Sequence, residues 1–159
     1  MKQTVKISPI LTILSFFSLL IILGTALYVY RDLNPYTSYL LFATAIAISL
    51  LSLFYMPLSI SVDDRELCIN RPLKIKSIPL TDIESIEILR PRFGERRICG
   101  SKGLFGYWGW YYHRDFGKYF SYYGNTADCF FVTLKNGRKY MLGCQNPQTI
   151  VDHIKKRLA

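Results

Sequence analysis

The sequence predicts a membrane-anchored α+β chain in which a two-helix transmembrane hairpin precedes a partly open β-barrel of about seven strands and a C-terminal helix. Three observations carry this expectation. Charge is partitioned, because residues 1–58 hold only Lys2, Lys6, Arg31 and Asp32 out of 20 Lys+Arg and 11 Asp+Glu. Two long uncharged runs lie in that first part, and from Leu58 onward the apolar residues recur with period two. Half of the 159 residues are hydrophobic and mean hydropathy is +0.17. These values exclude a disordered tail, a wholly soluble enzyme of ordinary size and a polytopic transporter of usual length. They divide the chain into an anchor over 1–57 and a domain over 58–159, just long enough to bury one modest core.

The first span is expected at about residues 9–30. From Ile7 to Tyr30 there are 24 residues without a charge, and about 20 apolar residues at 1.5 Å each cross a hydrocarbon core of about 30 Å. Pro9 stands near the start, where its missing N–H costs a helix nothing. Tyr28 and Tyr30 stand at the far end, at headgroup depth. Residues 31–38 read as a turn in which Pro35 bars helix continuation. The second span runs over about residues 39–56 and Pro57 closes it. A rival reading of the first span is a cleaved signal peptide ending near Gly24-Thr25-Ala26, although its apolar run is longer than such signals carry. Buried helices of a soluble core are the other alternative, and a domain of about 100 residues could not wrap two helices apolar on all faces.

Orientation follows from flanking basic residues. Lys2 and Lys6 precede the first span, Arg31 in the loop is offset by Asp32, and Arg65, Arg71, Lys74 and Lys76 follow the second. Both termini are therefore expected in the cytoplasm, with the chain a multi-pass protein of the inner (cytoplasmic) membrane. Cys68, Cys99, Cys129 and Cys144, spaced by 31, 30 and 15, contain no CxxC, so neither a zinc site nor a disulfide framework is expected.

In the domain, Leu58–Val62 alternates, Asp63-Asp64 turns, and Glu66–Asn70 returns. Lys74–Ile78 alternates with its lysines on one face. After a turn at Pro79–Asp82, residues 83–90 form a fourth strand with Ile86 and Ile88 inward. Beyond a Gly- and aromatic-rich centre, Lys118–Tyr123 and Phe130–Leu134 read as strands. Asn136-Gly137 turns the latter into Lys139–Leu142. Asn146 and Pro147 open a helix with Ile150, Val151, Ile154 and Leu158 on one stripe.

Four strands, three strands and a helix are the order of a pleckstrin-homology (PH)-like barrel. The chain resembles the bacterial PH-domain membrane proteins, in which a short transmembrane hairpin precedes a PH-like domain. The likeness spans residues 58–158. It is carried by Ile78-Pro79-Leu80-Thr81-Asp82-Ile83, the glycine-rich run from Gly100 to Gly109, Gly117-Lys118-Tyr119 and the Asn136-Gly137 turn. Where relatives read Ile-Ser-Pro before the helix, this chain has Leu142-Gly143-Cys144.

Two segments are candidates for recognition. Arg90, Arg92, Arg96, Arg97 and Lys102 place five cations in thirteen residues, and near a bilayer each contributes on the order of 1 kcal/mol with anionic lipid. Residues 104–123 hold eleven of the 24 aromatics, with Phe105, Tyr107, Trp108 and Trp110 the nearest to the cations. They form a partner surface or a headgroup belt in one reading, and fill the barrel and brace a long loop in the other. Glycines 100, 103, 106 and 109 suggest repeated tight turns. No Lys-Ser/Thr follows them, so a nucleotide loop is excluded.

PH domains that take phosphoinositides use basic residues at the first hairpin. Here that turn reads Asp63-Asp64-Arg65-Glu66 and repels phosphate. Nucleic acid is not expected, because cations and aromatics are adjacent rather than interleaved. His113 and Asp115 form no recognisable catalytic set with a cysteine, and the histidines are expected at the surface.

The expectation is a non-enzymatic binding or scaffolding module without catalytic residue, cofactor or metal. Its partners are the lipid bilayer, anionic lipid headgroups and another protein. The alternative is a structural or regulatory subunit whose hairpin packs against a transporter or sensor, with Ala43, Ala45, Ala47 and Ser49 allowing close helix approach.

Overall fold

A computed structural model describes residues 1–32 and 35–158. Helices α1 (Pro9–Asp32) and α2 (Pro35–Tyr55) are long and apolar enough to cross a bilayer. They lie side by side. Ser38 Oγ donates to Ala26 O at 2.6 Å, and the Tyr30 and Tyr39 rings meet edge-on at 6.3 Å. Pro35 does not merely interrupt helix, as the sequence suggested. It is the first residue of α2, where a fixed φ and an absent N–H suit a helix start, so α2 begins four residues earlier than expected. Leu33 and Asn34 of the expected turn lie outside the described residues.

Strand β1 (Lys2–Thr4) lies ahead of α1, and the domain contributes β2 (Ser59–Val62), β3 (Glu66–Asn70) and β4 (Ile75–Pro79). These four form one sheet in the order β1-β2-β3-β4. Past a 3-10 turn at Leu80–Asp82 come β5 (Ile83–Ile88), β6 (Arg96–Gly103), β7 (Gly106–His113), β8 (Gly117–Tyr123), β9 (Cys129–Leu134) and β10 (Lys139–Gly143). They make a second sheet in the order β5-β9-β10-β8-β7-β6, in which β8 and β10 run parallel. Both sheets keep free edges, so the barrel is partly open. Helix α3 (Pro147–Leu158) packs on β5 and β9.

The main core lies between the sheets and under α3. Ile60, Leu67 and Ile69 meet Phe130, Val132 and Leu142 there. Ile150, Val151 and Ile154 of α3 are at most 1% exposed, and each contributes about 1.5–3 kcal/mol by burial. Tyr111, Tyr119, Tyr123, Cys129, Phe131 and Met141 form a second cluster. They occupy alternate positions to the main-core residues on the same strands, as period two requires.

The described residues hold ten strands where about seven were expected. The polar segment Lys2–Thr4 has no alternation to announce it and joins β2 through backbone pairing. The glycine-rich centre, expected to be successive turns, is the β6–β7 hairpin, with Gly100 opposite Gly109 and Gly103 opposite Gly106. Gly100 and Gly109 have φ of 124° and 120° inside the ladder, and a Cβ on either would lie 2.2 Å from a carbonyl oxygen of the opposing strand. Only glycine fits that approach. Ile88 is 42% exposed rather than inward, because it ends the edge strand of the six-stranded sheet. His113 is buried instead of superficial, stacked on Phe116 at 4.9 Å.

Candidate functional site

Among the described residues, two contacts between the helices and the barrel frame the site. At the first, the tip of the β6–β7 hairpin rests on α1. Two residues, Leu104 and Phe105, connect its strands, and Phe105 has φ of 52°. Ser15 Oγ accepts from Phe105 N–H at 3.0 Å, while the Phe105 ring stands edge-on to Phe16 at 5.6 Å. Ser15 is six residues into α1, about 9 Å along its axis. The tip therefore lies beside the helix rather than at its end. Within the hairpin, Ser101 Oγ receives Leu104 N–H and the Trp108 indole N–H reaches Leu104 O.

At the second, the end of α2 sits on the sheet. Tyr55 stacks on Trp108 with centroids 5.2 Å apart and planes at 11°. Arg71, one residue past β3, lies under this junction and is only 8% exposed. Its guanidinium faces the rings of Phe54, Tyr55 and Tyr122 at 5.3, 5.8 and 5.5 Å. Nε donates to Lys74 O at 3.1 Å and Nη1 to the Tyr122 hydroxyl at 3.3 Å. Burial pushes the Tyr122 hydroxyl up to about 12, although Arg71 pulls the other way, so the phenol is a neutral acceptor. Beside Arg71 opens a cleft of about 690 Å³ whose wall includes Lys74, Lys76, Arg138 and Trp110.

The cations expected from sequence to act together are spread along the hairpin instead. Lys102 pairs with Tyr107 next to the tip, whereas Arg96 and Arg97 pair with Tyr112 and Tyr111 at the far end. Seven residues at about 3.3 Å put some 23 Å between Arg96 and Gly103. Arg90 and Arg92 lie in the connection leading into β6, where Arg92 meets Asp115 at 3.4 Å. All five are exposed. The aromatics divide as well. Trp108 belongs to the core, Tyr107 stacks on Tyr123 at 4.7 Å and Phe105 holds the tip. Trp110 is 38% exposed beneath Lys118.

Arg71, Lys74, Lys76 and Arg138 were absent from the expected recognition residues. Three of them counted only as flanking charge, and Arg138 lies 62 residues beyond Lys76 in the Asn-Gly turn. No linear signal joins them.

The same far end holds a half-buried carboxylate. The Tyr119 hydroxyl donates to Glu95 Oε1. Burial pushes Glu95 above its ordinary value, against the pull of that hydrogen bond and of Lys102 and His113. His113 Nδ1 accepts the Asp115 backbone N–H, which leaves the ring proton on Nε2 facing Phe93 O. Cys129 is pushed up by burial, as is Cys144, to about 11; neither is a ready nucleophile.

Neither the curated proteins nor the solved structures yield a match to this chain. A family model described as the bacterial PH domain matches residues 58–158. That range begins just before β2 and takes in strands β2–β10 and the closing helix α3, leaving out β1, α1 and α2. The chain thus belongs to the bacterial PH domain family.

Proposed function

We propose that this protein is a membrane-anchored, non-catalytic binding or scaffolding module that presents its PH-like domain at the cytoplasmic face of the inner membrane. The observation that carries the reading is the bare apolar surface of α1 and α2. Only 11% of the most apolar window of each helix is buried, and Ile10, Ile13, Leu20, Leu40 and Ile46 are all more than half exposed. In water such a surface is costly, and hydrocarbon removes the cost. The exposed cations Arg90, Arg92, Arg96 and Arg97 with the exposed Phe93 form a second surface at the far end of the β6–β7 hairpin, suited to an acidic protein partner. Lys102, Phe105, Tyr107 and Trp108 belong to the helix-facing end.

Topology is tested by a membrane-impermeant maleimide on a variant keeping Cys99, the exposed thiol of β6. Cys129 and Cys144 are buried and cannot report. Labelling in inverted membrane vesicles but not in intact cells is expected. Efficient labelling in intact cells would place the domain outside and reverse the reading.

A further inference from the structure

We propose that the cleft between the end of α2, the β3–β4 turn and the β9–β10 turn binds a phosphate-bearing headgroup, and that its ligand is an anionic phospholipid of the surrounding leaflet. The proposal rests on α1 and α2 being membrane spans. Its first support is unbalanced charge. Arg71, Lys74, Lys76 and Arg138 line the cleft, and among the described residues no Asp or Glu does. Among the described residues none of these four takes part in an ion pair. A buried guanidinium ordinarily stands against a carboxylate. Arg71 has only a carbonyl and a phenol, and its Nη2 has no hydrogen-bond partner among the described residues. A planar fork with an unused donor, ringed by further cations, suits an oxyanion with several acceptor oxygens.

The second support is place. Phe54 and Tyr55 form one wall of the cleft and also end α2. A ligand held in the bilayer would bring its phosphate to this depth without leaving the lipid. Trp110, Phe120 and Tyr140 give the rest of the wall an aromatic face for the glycerol and alcohol parts of a headgroup. Lys76 already stands over the Tyr140 ring at 4.6 Å, which fixes its ammonium at the rim. The volume falls within the range of about 300–1,000 Å³ usual for small-ligand sites. The acidic turn at Asp63-Asp64 is not part of the lining, and Asp64 is engaged by Arg157 at 2.6 Å.

The test uses the full chain in micelles supplied with equal phosphatidylglycerol and phosphatidylcholine, with retained lipid read by native mass spectrometry. The wild-type chain is expected to retain phosphatidylglycerol selectively. The combined variant K74Q/K76Q/R138Q should weaken that retention about a hundredfold, at roughly 1 kcal/mol per cation near a membrane surface. Arg71→Lys keeps the charge but removes the fork, and should weaken it about tenfold. K155Q/K156Q on the exposed side of α3 should change nothing, which separates the cleft from net charge. Equal retention of the two lipids, or full retention by the combined variant, would overturn the proposal. Titration with glycerol 3-phosphate distinguishes the source of the phosphate. Competition with retained lipid supports the site, and binding of the soluble ester with no lipid retained would overturn the lipid assignment. Carbonate extraction of the same membranes tests the anchor separately. A wild-type chain released into the supernatant defeats the spanning helices, whereas a chain that stays in the pellet and shows no lipid preference defeats the cleft alone.

Discussion

Replacing Gly100 by alanine tests whether the β6–β7 hairpin is built on backbone contact between paired glycines. The added Cβ would lie 2.2 Å from Trp108 O and 2.6 Å from Gly109 Cα. Ordinary contact begins at 3.4 Å, so the strands must part by about 1 Å out of a spacing of about 4.8 Å. Parting at that point strains the adjoining ladder bonds, each worth about 1 kcal/mol when lost and about 1–3 kcal/mol if a buried group is left unpaired. The φ of 124° adds about 1–3 kcal/mol of backbone strain for any residue with a Cβ. Two ladder bonds lost together with that strain cost about 3–5 kcal/mol.

Gly117→Ala is the internal control. Its φ is 71° and none of the described residues lies within 4 Å of the new Cβ, so only about 1–2 kcal/mol of left-handed strain applies. For a domain of about 100 residues these correspond to a Tm loss of roughly 5–10 °C for Gly117→Ala and roughly 15–25 °C for Gly100→Ala. The buried thiols of Cys129 and Cys144 give the assay. With Cys68 and Cys99 replaced by serine, a thiol-reactive fluorophore reports unfolding of the detergent-solubilised full chain. Gly100→Ala melting no lower than Gly117→Ala would refute the paired-glycine account.

Ser15→Ala removes the acceptor for Phe105 N–H and should cost about 1–3 kcal/mol locally. Amide exchange over residues 103–106 should then accelerate about tenfold or more, and unchanged exchange would detach the hairpin tip from α1. Glu95→Gln keeps an acceptor for Tyr119 while removing a charge that burial disfavours. Because the folded-state pKa of Glu95 is raised, its contribution to stability is fully present below the ordinary value of 4.5 and is lost as pH rises through the folded value. The variant should therefore gain stability over wild type at neutral pH, with the gain fading toward pH 4. A gain independent of pH would contradict the assigned cause.

Most strands of the barrel were legible because each buries one face. Ile60 and Val62, or Leu67 and Ile69, alternate with polar residues, and that alternation is a local record of a half-buried strand. The Asn136-Gly137 turn and the stripe on α3 are equally local. The β6–β7 hairpin escaped because its glycines have no side chain to alternate, and their use lies in how closely a second strand approaches. Strand β1 escaped for a related reason, since its pairing uses backbone groups that every residue carries.

The candidate site divides in the same way. Charge excess and aromatic content were visible in the segment 90–112, but about 20 Å of strand separates Arg96 from Lys102, cations that sequence makes neighbours. Conversely, the four cations of the cleft come from the segment after β3, from β4 and from the β9–β10 turn. Sequence alone determined the two long apolar helices, the open β-barrel with its closing helix, and the surplus of positive charge, because burial period and composition are properties of short stretches. Tertiary structure decided which cations share a cavity, which aromatics are core and where the hairpin tip rests. Those outcomes depend on strand order and register between segments up to about 90 residues apart, and no local pattern encodes them.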